Sequence, residues 1–255
     1  MVPGFDAVSH HDLNSHRVRE DSTDWQLLLT CEHAGNGVPP AYEALFRGAF
    51  EVLDSHRGWD PGALTLAQTF EQRFNAPLFY HTSSRLLVET NRSVGRRGLF
   101  SEFTGGLSKE EKASILREFY APHRTLVEAW IKQHFDAGRG VIHLSFHTFT
   151  PNLNGQVRNA DVGLLYDPQR NGEKSLCRSW QSALKRRRAD LRIRRNYPYL
   201  GSADGFTTHL RRRFAAQYAG IELEVNQLWP LTKPADWPEL GRDLAESFAD
   251  AWRQQ

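Results

Sequence analysis

Two histidines stand where apolar runs give way to polar residues, and each is placed to do chemistry. Trp25 to Cys31 (WQLLLTC) is followed by Glu32 and His33, and Gly140 to Phe146 (GVIHLSF) is followed by His147. The carboxylates that could join them are Glu32 beside His33, Glu224 near the end of a later apolar run, and Asp60 in His56-Arg57-Gly58-Trp59-Asp60-Pro61-Gly62, just before a helical pattern. Two imidazoles and a carboxylate converging from different strand ends are the usual ligand set of a catalytic zinc ion, with a fourth position left for water. Water bound in this way attacks near neutral pH, and a donor set without thiolates keeps the ion a strong Lewis acid, which suits hydrolysis. A single histidine at a strand end is more often a hydrogen-bonded structural residue. It is the set that points to a metal.

Other charged residues share this pattern of strand ends. Glu222 and Glu224 alternate with Ile221, Leu223 and Val225, so both carboxylates lie on one face of a strand and the aliphatic side chains on the other. Two acids on one face of a central strand are costly unless they are paired or reach a site; the alternative is an edge strand with a solvated face. Arg85, Asn91 and Arg92 form a third group, in which an arginine fork and an amide could clamp a substrate carboxylate. Local pairing of Arg85 with Glu89 accounts for that arginine almost as well.

The elements that must position these residues alternate between short apolar runs and helical patterns, which predicts a layered α/β fold with a largely parallel sheet. Strands are expected at 25–31, 85–89, 140–146, 161–166 and 221–225. Helices are expected at 63–74, 174–188 and 239–253, and at 205–217 with Asp204 as its cap. Ser108 and Glu111 have the spacing of a capping box, opening a helix that should run to about Phe135 with a bend at Pro122. In open α/β sheets the reactive groups gather at the carboxyl ends of the strands, where Glu32, His33, Asn91, Arg92, His147 and Glu224 would all stand.

Composition narrows the classes further. The 255 residues carry 32 basic and 30 acidic groups, with 40% hydrophobic residues, as an ordinary globular protein does. Two isolated cysteines, Cys31 and Cys177, exclude a disulfide-stapled miniprotein and suggest reduced thiols in the cytoplasm. Residues 1–24 lack the continuous apolar stretch of a signal peptide or membrane span and are expected to form a loosely ordered arm ahead of a single domain over 25–255. Arginine-dense runs at 185–188, 192–195 and 211–213 are expected to be solvated helix faces rather than a nucleic-acid surface.

Six segments together resemble the N-formylglutamate amidohydrolase family. They are Cys31-Glu32-His33-Ala34-Gly35-Asn36 with Val38-Pro39, Trp59-Asp60-Pro61-Gly62-Ala63, Ser84 to Arg92 (SRLLVETNR), His147-Thr148-Phe149-Thr150-Pro151, Asn196-Tyr197-Pro198-Tyr199, and Glu224-Val225-Asn226-Gln227. The resemblance implies a three-layer α/β/α sandwich akin to zinc carboxypeptidases, with a mixed, largely parallel central sheet. It also implies one divalent metal, normally zinc, and a small N-acyl amino acid substrate bearing a carboxylate. By position His33 and His147 resemble metal ligands and Glu224 the general base. Asp60 is the choice for the carboxylate ligand, with Glu32 its competitor, because Asn36 occupies the place where carboxypeptidases have a glutamate. Arg85, Asn91 and Arg92 would hold the substrate, Arg85 also serving catalysis. Ser93, Thr148 and Asn226 depart from the family pattern.

Overall fold

A computed structural model describes residues 25–254, so the arm expected at 1–24 lies outside the described residues. Strand β1 (Trp25–Cys31) forms where expected, and its apolar run is sheathed on both sides by parallel neighbours, β2 (Leu78–Tyr80) and β3 (Gly140–Phe149). A small hairpin follows, β4 (Asn152–Leu153) with β5 (Gln156–Val157), then β6 (Val162–Leu165), β7 (Ile193–Arg195) and β8 (Tyr218–Asn226). The six-stranded sheet has the order β2-β1-β3-β8-β6-β7 and is parallel except where β6 runs antiparallel to β8.

Helices cover both faces, as a three-layer α/β/α fold requires. Helix α1 (Phe50–Leu53) is a short turn in the loop after β1, and α2 (Ala63–Phe74) matches its expected span. On one face α2, α5 (Asn171–Arg187) and α8 (Trp237–Trp252) bury Phe70, Trp180 and Phe248 against Leu144, Phe146, Leu223 and Val225. Each such fully buried side chain contributes roughly 1.5–3 kcal/mol relative to exposure. Leu176, Trp180 and Leu184 are buried along one stripe of α5, as their spacing predicts. On the opposite face, α4 (Ala121–Asp136) and α6 (Phe206–Phe214) place Val127, Ile131, Phe206 and Leu210 over Leu28, Val141 and Tyr218.

The capping box forms: Glu111 N donates to Ser108 Oγ and Ser108 N donates to the Glu111 carboxylate. The helix it opens is broken into α3 (Lys109–Ile115), a π turn at Leu116–Tyr120, and α4 with Pro122 in its first turn. Proline has no N–H to give the preceding turn, and the wider turn absorbs that loss.

Several expectations need correction. Residues 85–87 form a turn and 88–89 an irregular segment instead of a strand. Leu86, Leu87 and Val88 are buried, but in a separate cluster built with Phe46, Leu99, Ile115 and Phe119, so an apolar run here marks loop packing. The sheet takes its second strand from Leu78–Tyr80. Strand β3 continues to Phe149, which puts His147 inside the strand. Asp204 does not cap α6; it accepts a hydrogen bond from Ser93 N, while Asn91 Oδ1 accepts one from Phe206 N at 2.6 Å. A residue from a distant segment therefore does the capping. Strand β8 is interior, which removes the edge-strand alternative for its two acids. The basic runs are not uniformly solvated: Arg211 is buried against Glu173, Arg187 pairs with Asp250, and Arg188 pairs with Asp190 and Asp243. Helix α7 (Leu228–Thr232) links β8 towards α8. Among the described residues no helix is long and apolar enough to cross a membrane.

Candidate metal centre

Because β1, β3 and β8 are parallel neighbours, their carboxyl ends open on the same edge of the sheet. His33 emerges two residues beyond β1, where Gly35 lets the chain pass Thr82: a Cβ at Gly35 would lie 2.6 Å from the Thr82 carbonyl oxygen. The loop that carries Asp60 is tied to both strands. Asp60 N donates to His33 O at 3.0 Å, and Thr148 Oγ1 donates to Pro61 O at 2.9 Å. Thr148, one of the family departures, thus serves to anchor that loop.

The result is a tight donor cluster. Asp60 Oδ2 lies 3.2 Å from His33 Nδ1 and 2.9 Å from His147 Nδ1, and the two Nδ1 atoms are 3.1 Å apart. All three side chains are buried, and this geometry could hold a metal ion. Each imidazole is backed by a carboxylate on its other nitrogen. His33 Nε2 meets Glu89 Oε1 at 2.5 Å. His147 Nε2 lies 3.3 Å from Glu32 Oε2 and 2.9 Å from Ser145 Oγ, whose hydroxyl donates to the same Glu32 oxygen at 2.7 Å. With a metal bound, a carboxylate at Nε2 would hold the proton there and leave the Nδ1 lone pair to face inward, which is the arrangement commonly found behind metal-bound histidines.

Electrostatics agree. Burial alone would raise the Asp60 carboxyl, but His33 and His147 hold it well below the usual carboxylate range. Burial would likewise raise Glu89, and Arg85 and His33 reverse it. Both imidazoles are pushed the other way: burial opposes their charged forms, yet the surrounding carboxylates raise the affinity of His33 and His147 for a proton. The same carboxylates would favour a metal cation between the imidazoles.

Glu224 stands next to this cluster. Its Cα partners in the sheet are His147 on β3 and Gly163 on β6. Burial pushes its carboxyl up to about 8, against the pull of His147 and with help from Asp60 and Glu222, and its Oε2 is buried with no hydrogen-bond partner among the described residues. Glu222 on the same face is engaged elsewhere, accepting from Thr207 Oγ1 at 2.5 Å.

Arg85 meets both descriptions given to it. It donates from Nε to Glu89 Oε2 at 2.8 Å and from Nη1 to Asp60 Oδ1 at 3.2 Å, so it pairs locally and reaches the cluster. Asn91 caps α6 with its oxygen while its Nδ2 lies 3.4 Å from His147 Nε2. Arg92 is not brought to the cluster; its side chain lies beside Gly98, and its carbonyl accepts from the Tyr120 hydroxyl. Asn226 donates to Ala160 O.

A cavity of about 230 Å³ opens beside Asp60 and Arg85, with His56, Arg57, Phe149, Arg158 and Tyr199 among its lining residues. The sequence reading missed Ser145, Arg158 and the bond between Glu89 and His33. Ser145 was within reach, since it precedes His147 by two residues and so shares its strand face. For Arg158 the only signal is Asn154-Gly155, a hairpin turn pair, which places a loop but not what it covers.

Fold and site together define a three-layer α/β/α protein with a buried His-Asp-His group suited to a metal. A model of the N-formylglutamate amidohydrolase family matches residues 25–229, and the chain belongs to that family. Among solved structures, a gene product from Agrobacterium tumefaciens is 27% identical with a TM-score of 0.77, the match covering 90% of this chain and 91% of that one. An N-formylglutamate amidohydrolase from Ralstonia eutropha JMP134 shares the fold at 16% identity, with a TM-score of 0.61 and coverage of 89% and 93%. No curated protein matches the sequence.

Proposed function

We propose that this protein is a metal-dependent amidohydrolase that cleaves the amide bond of an N-acyl amino acid, with N-formyl-L-glutamate as the default substrate and formate and L-glutamate as products. The observation that carries the reading is the meeting of His33 Nδ1, Asp60 Oδ2 and His147 Nδ1 beside Glu224, whose Oε2 has no hydrogen-bond partner among the described residues. Those three atoms would hold the ion. Glu32 would not be a ligand, because it stands behind His147 at Nε2. Two nitrogens and one oxygen suit zinc, which when bound acidifies water and polarises the acyl oxygen.

The remaining work falls to the chain's own residues. Glu224 takes the proton of the attacking water and delivers it to the departing amine nitrogen. Its position beside His147 keeps it buried next to the donor cluster, and a cation among its neighbours would favour its ionised form. Arg85, held by Glu89 and Asp60, presents guanidinium hydrogens where negative charge develops on the acyl oxygen. Asn91 keeps the start of α6 in place, and Arg92 has no substrate contact in this reading.

A panel of formylated and acetylated amino acids, followed by release of free amine, tests the reaction. Preferential hydrolysis of N-formyl-L-glutamate supports the default. Turnover of acetylated amino acids or short peptides instead would keep the chemistry and change the substrate.

A further inference from the structure

Three arginines line the cavity, and two of them are already committed. Arg57 is turned to Glu102, and Arg85 is paired with Glu89 and Asp60. Arg158 has no carboxylate partner among the described residues, and its Nη1 is buried without a hydrogen bond to any of them. A buried guanidinium hydrogen left unpaired is unfavourable unless something else in the cavity receives it.

The surroundings of Arg158 hold it ready. It follows the β4–β5 hairpin directly, and its backbone N–H is fixed to Pro151 O at 2.8 Å. The guanidinium carbon lies 4.8 Å from the centre of the Tyr199 ring and 6.0 Å from that of Phe149. The aromatic rings keep a planar group in place, and although the Tyr199 hydroxyl also takes a hydrogen bond from the guanidinium, Nη1 is left unengaged, so little side-chain freedom is lost when a ligand arrives. The planar fork matches a carboxylate, which it receives through two parallel hydrogen bonds.

We propose that Arg158 is the specificity residue of this site and binds a carboxylate of the substrate, holding an N-acyl acidic amino acid with its amide towards Asp60. This rests on the amidohydrolase reading of the cavity. Tyr199 and Phe149 act as positioning residues for the guanidinium, and the hairpin carries the selectivity of the pocket.

The test compares wild type, Arg158→Gln and Arg158→Lys on N-formyl-L-glutamate and on its two monoamides, N-formyl-L-glutamine and the α-amide. A charge-assisted bidentate contact predicts a roughly 10- to 100-fold rise in KM for N-formyl-L-glutamate in Arg158→Gln, with a smaller change in kcat. Arg158→Lys should fall between the two, having the charge without the fork. For one monoamide the Gln substitution should add little, and that analogue identifies the carboxylate Arg158 reads. An unchanged KM, or an equal loss on all three substrates, overturns the assignment.

Glutarate binding to the metal-free proteins, measured by calorimetry, separates this inference from the reaction. If wild type hydrolyses none of the three compounds yet binds glutarate at least tenfold more tightly than Arg158→Gln, the amidohydrolase reading fails and Arg158 stands as a carboxylate site. Equal glutarate affinities, or no binding by wild type, remove the Arg158 assignment whatever the turnover.

Discussion

His147 and Glu224 sit side by side on parallel strands, partners in the β3–β8 register, so that a candidate metal ligand and a candidate proton carrier are fixed by the same run of backbone hydrogen bonds. The pairing also fixes what lies on either side. Ser145 and Glu222 are the partners two residues earlier, and they place a polar face on strands whose other face is apolar core.

Replacing Glu224 with Gln keeps the shape of this pairing and removes the base. Turnover should fall roughly 10²–10⁴-fold, the usual share of a general base, with the metal content unchanged. Parallel measurements of kcat and bound metal check this, and wild-type turnover in Glu224→Gln would show that the proton goes elsewhere.

The carboxylates behind the imidazoles make a separable prediction. Glu89 touches His33 and Glu32 touches His147, neither through the inward nitrogen. Glu89→Gln and Glu32→Gln should each weaken metal binding about 10- to 100-fold without abolishing it, as read by competition against a chelator. Complete loss in Glu32→Gln alongside full retention in Asp60→Asn would exchange their roles.

Gly163 illustrates a constraint from backbone contact. It pairs with Glu224 across β6 and β8, and a Cβ there would lie 2.0 Å from the Tyr197 carbonyl oxygen. Gly163→Ala must push the segment bearing Tyr199 away from the sheet. Overpacking of this kind costs roughly 1–3 kcal/mol, so the urea midpoint should drop, and an unchanged midpoint would mean the loop yields freely.

His143 supplies the pH prediction. It is wholly buried on the polar face of β3, with Nε2 2.7 Å from Thr30 Oγ1 and Nδ1 2.6 Å from the Tyr218 hydroxyl. Burial lowers its pKa to about 4, with Arg211 and the nearby histidines adding to the effect and Glu32 opposing. The unfolded chain takes up this proton near pH 6.5, before the folded one does. The contribution of His143 is therefore complete above about pH 6.5 and declines as the pH falls towards 4. Urea unfolding between pH 7 and 4 should show a shallower loss in His143→Gln than in wild type; parallel curves would contradict it.

Much of this architecture was legible in the sequence because its signals are local. Apolar runs marked β1 and α2 to the residue, and Ser108 with Glu111 marked the start of α3. The candidate histidines were legible for the same reason, since His33 and His147 each follow an apolar run, although His147 lies inside β3 rather than at its end. What escaped depends on tertiary pairing. The SRLLVE run reads as a strand by composition, yet its leucines fill a side cluster. Asn91 and Arg92 are adjacent in sequence, but one caps a helix 115 residues away and the other turns to Gly98. No local pattern separates them.

The central claim is that His33, Asp60 and His147 hold one divalent ion. Elemental analysis of the purified wild type and of His33→Ala, Asp60→Ala and His147→Ala tests it most directly. The account predicts one ion per chain in wild type, zinc by its donors, and its loss from each variant while the fold persists by circular dichroism. A wild-type protein that takes up no divalent ion, or variants that bind it as wild type does, would contradict it.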